Sequence, residues 1–247
     1  MIGTVVTHHF ERLLESLSAT DPWPELAESG FLNMLRGDVD GGSGLPLEEL
    51  FPLALVTGSC LHCPPVLETM VARLADSNAL NIVDAENALA GLPAARPLAA
   101  ALAAAQMAGA MERIQRMTLE YATTRRQFGR EIGKFQVVQH QIAVMAEEVI
   151  AARIAAEAAL QGAPLQISEL RAGVAKIRVG EAAHLVSSIA HAVHGAIGVS
   201  EEHALHHYTR RLRMWQMAHG GESWWATRLG ESVLSSTADM AVFVRGL

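Results

Sequence analysis

The chain has 247 residues, of which half are apolar and 18% are charged, and its mean hydropathy is +0.20. Intrinsic disorder is excluded, because it requires low hydrophobicity and high net charge. A net charge of −7 argues against nucleic-acid binding, which depends on Lys and Arg placed against phosphates. Average soluble proteins carry roughly a quarter charged residues, so we expect part of this apolar surface to be covered by a partner.

The start of the chain, Met1 to Thr4, lacks the basic start and apolar core of a signal peptide. The apolar stretch from Pro97 to Met111 is rich in Ala and shorter than the ~20 residues that span a bilayer. Two cysteines provide no disulfide framework. We therefore expect a cytoplasmic protein with no membrane and no nucleic-acid partner.

Proline and glycine interrupt the first part of the chain, most densely at Gly41-Gly42-Ser-Gly44. Between these interruptions, residues 10–17 and 47–55 show helical spacing of apolar side chains. The pattern predicts a small N-terminal helical region over residues 1–76, followed by a linker over 77–96.

From about residue 97 the chain changes to long segments of Ala, Leu, Met, Gln and Arg, all of which favour helices. One helix face carries an apolar seam with spacings of three and four residues: Phe135, Val138, Ile142, Met145 and Val149. No stretch alternates apolar and polar residues as a half-buried strand would. The sequence therefore predicts an all-α protein in which residues 97–247 form a bundle of long helices of the four-helix type.

The segment from Tyr121 to Gln136 is not an ordinary amphipathic helix. It reads Tyr-Ala-Thr-Thr-Arg-Arg-Gln-Phe-Gly-Arg-Glu-Ile-Gly-Lys-Phe-Gln. This resembles the segment Tyr-Ala-x-x-Arg-x-Gln-Phe-Gly-x-x-Ile-x-x-Phe-Gln in the C-terminal domain of the acyl-CoA dehydrogenase family. Agreement at so many positions makes a chance match very improbable.

A second segment supports the same resemblance. Residues 194–198 read His-Gly-Ala-Ile-Gly, with Arg210 downstream, and are similar to the family's His-Gly-Gly-x-Gly segment. The resemblance covers residues 97–247 well and extends weakly to residues 23–30.

The resemblance implies an FAD-dependent oxidoreductase of lipid metabolism that desaturates acyl-CoA thioesters. It assigns cofactor-binding positions to Arg125, Phe128, Gln136 and Gly195, the first three of which reach the FAD of a neighbouring subunit in family members. Arg suits this role because its guanidinium offers a fixed fork of donors to a pyrophosphate.

The sequence also departs from the family pattern. Family members carry a middle β domain that covers the flavin, and residues 77–96 stand here like a vestige of it. His219 occupies the usual position of the catalytic Glu, and Ala99 occupies the other position used for a base. Imidazole can act as a base near neutral pH, so His219 is the candidate catalytic residue, with a remnant or interface role as the alternative.

These departures favour a subunit that lacks its own catalytic Glu and completes the flavin site of a partner chain. Some bacterial members of the family, notably in steroid side-chain degradation, are heteromers of two unlike chains. The expected partners are an acyl-CoA thioester and another acyl-CoA dehydrogenase chain, in a homo- or hetero-oligomer. The alternatives are a structural or regulatory homologue that binds no flavin, and a degenerate homo-oligomeric enzyme that uses His219.

Three weaker signals remain. Cys60 and Cys63 have the Cys-x-x-Cys spacing of redox and zinc sites, but no strand-then-helix context and no second ligand pair accompany them, so we expect buried cysteines within a helix. The histidine clusters lack a metalloenzyme pattern, and no metal site is predicted. The basic residues Arg210, Arg211 and Arg213 are interpreted as a solvated face, or as a site for a CoA phosphate or a partner's acid.

Overall fold

A computed structural model describes residues 2–17, 21–74, 76–80, 95–162, 166–236 and 241. Within these ranges the chain is helical apart from one two-stranded hairpin. The predicted all-α fold is thus confirmed.

The N-terminal part contains four helices: α1 (Ile2–Ser16), α2 (Trp23–Glu28), α3 (Leu47–Ser59) and α4 (Val66–Ala72). Short 3-10 turns at Phe31–Asn33 and Asp38–Asp40 connect α2 to α3. The rings of Phe10 and Phe31 pack with their centroids 4.9 Å apart, and both side chains are buried in the core.

Three long helices form the bundle: α5 (Ala95–Thr124), α6 (Gln136–Ala159) and α7 (Glu169–His194). Two shorter helices, α8 (Leu205–Met217) and α9 (Glu222–Ser235), follow. The central element is α5, which contacts α3, α6, α7 and α8. Its Ala-rich first half is almost wholly buried, so the alanines predicted to favour a helix also allow its neighbours to approach closely.

The closest approach of the N-terminal part to the bundle uses a pair of glycines. A Cβ at Gly58 on α3 would overlap the backbone carbonyl of Gln106, and a Cβ at Gly109 on α5 would overlap that of Leu55. Both residues lie inside helices, where glycine costs about 1 kcal/mol relative to Ala. The close contact between α3 and α5 explains why glycine is required there.

The predicted domain boundaries remain a prediction. Most of the predicted linker, residues 81–94, lies outside the described residues. The first bundle helix begins at Ala95, two residues before the predicted start of the bundle.

One segment, Glu169–Val199, is long and apolar enough to pass a length-and-hydropathy test for a membrane span among the described residues. However, 44% of its most apolar window is buried inside the protein. Core helices of soluble proteins pass the same test, so this finding is weak evidence for a membrane span.

Candidate functional site

A tight hairpin follows the end of α5. Its strands β1 (Arg126–Gln127) and β2 (Arg130–Glu131) pair antiparallel. Both turn residues are left-handed, with φ of 49° at Phe128 and 79° at Gly129. A two-residue turn of this kind matches the twist of the strands. Glycine tolerates this conformation, whereas Phe128 adopts it at an energetic cost.

Ionic contacts hold the base of this hairpin. Arg126 and Lys134 lie 3.6 and 2.8 Å from the carboxylate of Glu131, and the hydrogen bond and charge of Lys134 lower the pKa of Glu131. The Ile132 N–H donates to the Arg125 carbonyl at 2.8 Å. The hairpin is therefore braced by its own side chains.

The structure brings three of the predicted cofactor-binding residues together on this hairpin. Phe128 is 91% exposed, and its ring is perpendicular to that of Phe135, with the two centroids 6.2 Å apart. Arg125 and Gln136 are also exposed. Among the described residues, the Arg125 guanidinium has no hydrogen bond or ion pair, so its donors are available to a ligand.

Gly195, the fourth predicted residue, ends α7 at the same end of the bundle. With a φ of 65° and a ψ of −143°, its backbone has a conformation that favours glycine over other residues, and its N–H donates to the His191 carbonyl. The adjacent His194 stacks on Tyr121 at 4.6 Å, and the Tyr121 carbonyl accepts the Arg125 N–H at 2.8 Å. The contact between these two rings therefore joins the two segments that carry the family resemblance.

His219 lies elsewhere, between α8 and α9, with a φ of 58° and only 5% exposure. It lines a cavity of about 10 Å³ that it shares with Ala99, Glu68 and Gln106. Such a volume holds about one water molecule. The two positions that the resemblance assigns to a base thus meet in one place, and no thioester fits between them in this conformation.

A buried lysine fixes the segment that carries His219. The Lys176 ammonium donates to the carbonyls of Trp215, Gln216 and Ala218 at 2.6, 3.2 and 2.9 Å. These carbonyls lie at the C-terminal end of α8, where a cation is favoured by the helix dipole. Lys176 is only 2% exposed, so this interaction is part of the core.

Sequence reasoning missed Glu68 of α4. Its Oε2 atom is buried without a hydrogen-bond partner among the described residues. Burial raises the pKa of Glu68, against smaller lowering effects of Gln106 and Trp215. A lone acid in the apolar run Val66-Leu-Glu-Thr-Met-Val71 was the available signal, but only the tertiary fold places it beside His219.

The catalytic candidate and the cofactor candidates are far apart within one chain. The cavity at His219 touches α5 between Ala99 and Gln106, and the hairpin begins after Thr124. The 18 to 25 residues between them span about 27–38 Å of helix. A ligand bound at the hairpin therefore contacts His219 of the same chain only if it spans this distance.

The prediction that Cys60 and Cys63 lie buried within a helix is wrong. Helix α3 ends at Ser59, and Pro64-Pro65 keeps the residues before it out of the α-helical region. Both cysteines are half-buried in the connection between α3 and α4.

The predicted basic face divides into two parts. Arg210 and Arg213 line a groove of about 240 Å³ together with His184 and His191. Arg211 instead turns inward and donates to the Thr57 carbonyl at 2.9 Å. In the part of the chain that the structure describes, no three His, Cys, Asp or Glu residues are grouped to hold a metal ion.

A family model described as the C-terminal domain of acyl-CoA dehydrogenase matches residues 89–234, more than half of the chain. The chain belongs to the acyl-CoA dehydrogenase family. The match spans the three bundle helices, α8 and all but the last residue of α9, and it includes both segments on which the resemblance rested.

Curated acyl-CoA dehydrogenases match about half of the chain. IpdE2 of Mycobacterium tuberculosis is 36% identical over 120 residues, which cover 48% of this chain and 36% of IpdE2. FadE27 of the same organism is 31% identical over 139 residues, which cover 53% of this chain and 37% of FadE27. The chain thus spans little more than a third of the length of these curated relatives.

Solved structures match over a larger part of the chain. In the ChsE4-ChsE5 complex from Mycobacterium tuberculosis, one chain superposes with a TM-score of 0.77 and 18% identity, covering 96% of this chain and 98% of that one. A chain of the Tcur3481-Tcur3483 steroid ACAD superposes with a TM-score of 0.79 and 20% identity, and the match covers 96% of this chain and 99% of that one. These likenesses show the fold over almost the full length of this chain.

Proposed function

We propose that this chain is a subunit of an FAD-dependent acyl-CoA dehydrogenase, which desaturates an acyl-CoA thioester between its α and β carbons. In this proposal the chain completes the flavin site of a partner chain and supplies no base of its own. The observation that carries it is the separation along α5, about 27–38 Å, between the exposed hairpin and the enclosed cavity at His219.

The residues of the hairpin suit a dinucleotide. Arg125 offers a guanidinium fork for the pyrophosphate, and Gln136 offers an amide at the first position of α6, whose first turn carries no acid. The N-terminus of a long helix attracts anions through its free N–H groups. When bound, FAD supplies the hydride acceptor for the β-hydrogen, while these residues bind and orient it.

The cavity at His219 supports the second half of the proposal. Proton abstraction needs a base within hydrogen-bond reach of the α-carbon. Ala99 has no titratable group, and His219 is enclosed with room for about one water. The partner chain would therefore hold the carboxylate base and the thioester.

The surface of α6 is suited to a partner of this kind. Ile150 and Ile154 lie one turn apart on one face and are exposed by 58% and 61%, and Val137 near the start of the helix is exposed by 71%. Apolar groups exposed together favour association. The two solved structures that this chain resembles over almost its full length are named as complexes of two chains, which agrees with an unlike partner.

Co-expression tests the proposal. The chain, tagged for purification, is produced alone and together with a full-length acyl-CoA dehydrogenase chain from the same organism. Visible flavin absorbance and acyl-CoA oxidation with an artificial electron acceptor are then measured. We expect flavin and activity only in the co-purified complex.

Other outcomes would overturn the proposal in different ways. Flavin and activity in the chain alone, with the activity but not the flavin lost in His219→Gln, would establish a homo-oligomeric enzyme that uses this histidine. A stable complex without flavin at the shared interface would establish a structural or regulatory homologue.

A further inference from the structure

The connection between α3 and α4 brings two thiols together. Cys60 is the residue at which α3 ends, with φ −72° and ψ 135°. This extended conformation turns the chain out of the helix, and the Cys63 thiol then donates a hydrogen bond to the sulfur of Cys60. A Cys-x-x-Cys pair in contact can close a disulfide without a large rearrangement of the chain.

The surroundings of the two thiols differ, and this difference sets their roles. The hydrogen bond from Cys63, the backbone N–H of His62 and the charge of Arg211 lower the pKa of Cys60 to about 6. The same pairing, together with burial and the charge of Glu68, raises the pKa of Cys63. One sulfur is therefore a thiolate at neutral pH while the other holds its proton.

The cation beside the pair is firmly held. Arg211 of α8 donates to the carbonyls of Cys60 and Thr57 and lies over the ring of Trp215, 4.4 Å from its centroid. The Tyr208 hydroxyl donates to the Ser59 carbonyl at 2.9 Å. These bonds between α8 and the end of α3 fix a positive charge near Cys60, the arrangement that activates reactive cysteines.

We propose that Cys60 and Cys63 form a redox-active dithiol, with Cys60 as the attacking thiolate, Cys63 as the resolving thiol, and low-molecular-weight disulfides such as oxidised glutathione as oxidants. The proposal is independent of the flavin function, because it uses no residue of the hairpin and none of the partner chain.

The chemistry balances in two steps. The Cys60 thiolate attacks one sulfur of oxidised glutathione, so a mixed disulfide forms and one glutathione thiolate leaves. Cys63 then loses its proton to solvent and attacks the sulfur of Cys60, and the second glutathione thiolate leaves. Overall, the Cys60 thiolate and the Cys63 thiol give up two electrons and one proton, and one glutathione disulfide becomes two glutathione thiolates, which then take up protons from Cys63 and from solvent.

The test uses the 247-residue chain, reduced, freed of reductant and incubated in glutathione buffers with an increasing share of the disulfide form. After acid quenching, free thiols are alkylated and the chain is analysed by mass spectrometry. We expect loss of two hydrogen atoms and a peptide in which Cys60 is joined to Cys63. Absence of this disulfide at every glutathione ratio would overturn the proposal, as would tightly bound zinc that blocks both thiols.

Single-cysteine variants assign the two roles. Cys63→Ser keeps Cys60 and a hydroxyl donor beside it, so we expect it to trap glutathione as a stable mixed disulfide. At neutral pH it should react at least about tenfold faster with iodoacetamide than Cys60→Ser, which keeps the protonated thiol. Equal alkylation rates in the two variants would contradict the assignment.

The pH dependence of alkylation in Cys63→Ser provides a further check. The charged and titratable groups that face the pair are His62, Arg211 and Glu68, and the ring of His207 lies 6.1 Å from that of His62. We expect Arg211→Gln to shift the rate profile to higher pH, and the matched change at the exposed Arg210 to leave it in place. Circular dichroism verifies that each variant is folded.

Discussion

Phe128 combines two unfavourable properties in one residue. It adopts a left-handed backbone with a φ of 49°, and 91% of its surface is in contact with solvent. An isolated chain gains little from a phenyl ring at this position, and an Asn would adopt the turn more readily. Strain of this kind is characteristic of functional positions, which agrees with a ring that contacts a ligand or partner.

The neighbouring Arg125 gives a direct test of the flavin proposal. Arg125→Gln should reduce the affinity of the co-purified complex for FAD by about 10- to 100-fold, since a hydrogen bond to a charged group contributes about 1.5–3 kcal/mol. FAD release is measured by fluorescence during dilution. Arg116→Gln, an exposed change on the same helix, is the control, and equal losses in both variants would count against a specific contact.

Glu68 gives a prediction about pH. Burial raises the pKa of this carboxyl in the folded chain above its ordinary value, so the folded state binds the proton more tightly than the unfolded state. Its contribution to stability is therefore present below about pH 4.5 and is lost as pH rises through the folded pKa.

Glu68→Gln removes this ionisation. We expect the variant to be more stable at pH 7 by about 1–2 kcal/mol, the cost of leaving a buried polar group unpaired, and the gain to shrink in acid. Thermal unfolding followed by circular dichroism between pH 5 and 8 measures both effects. A variant less stable at every pH would show that the charged form is stabilised, for which the charge of Arg211 is the available cause.

At the scale of elements, the contact between α3 and α5 depends on two glycines that admit no Cβ. Gly109→Ala should destabilise the chain by about 3 kcal/mol, because backbone must move to relieve the overlap. For a domain of this size the melting temperature should fall by about 6–12 °C. Gly230→Ala is the matched control: it lies in α9 with open space around it and should stabilise by about 0.5–1 kcal/mol.

The hairpin between α5 and α6 was predictable from the sequence only in part. The resemblance to the family predicted the three cofactor positions at Arg125, Phe128 and Gln136, which lie on and beside this hairpin. Two-residue strands carry no periodicity, so the pairing of Arg126 with Glu131 was not predictable. The ring contact between Tyr121 and His194 was not predictable either, because the two residues lie 73 positions apart in the chain.

At the scale of the whole molecule, the scarcity of charge appears as exposed apolar side chains on α6. Ile154→Glu should weaken association, because it places a charge in an interface that would exclude water. We expect a smaller mass by light scattering, for the chain alone or with its partner. The control is Val39→Glu, at a 97% exposed position in the N-terminal part, which should leave the mass unchanged. An unchanged mass for Ile154→Glu would show that the interface lies elsewhere.

The sequence by itself determined the helical fold, the bundle and the family, because helix propensity, apolar seams of period 3.6 and the segment from Tyr121 to Gln136 are local signals. It also placed Arg125, Phe128 and Gln136 together, since eleven residues and one turn connect them. The tertiary structure alone decided the rest. It enclosed His219 with Ala99 and Glu68, and it set a cation from α8 beside Cys60. These contacts join residues from distant parts of the chain, and only the packing of helices across α5 brings them within reach of one another.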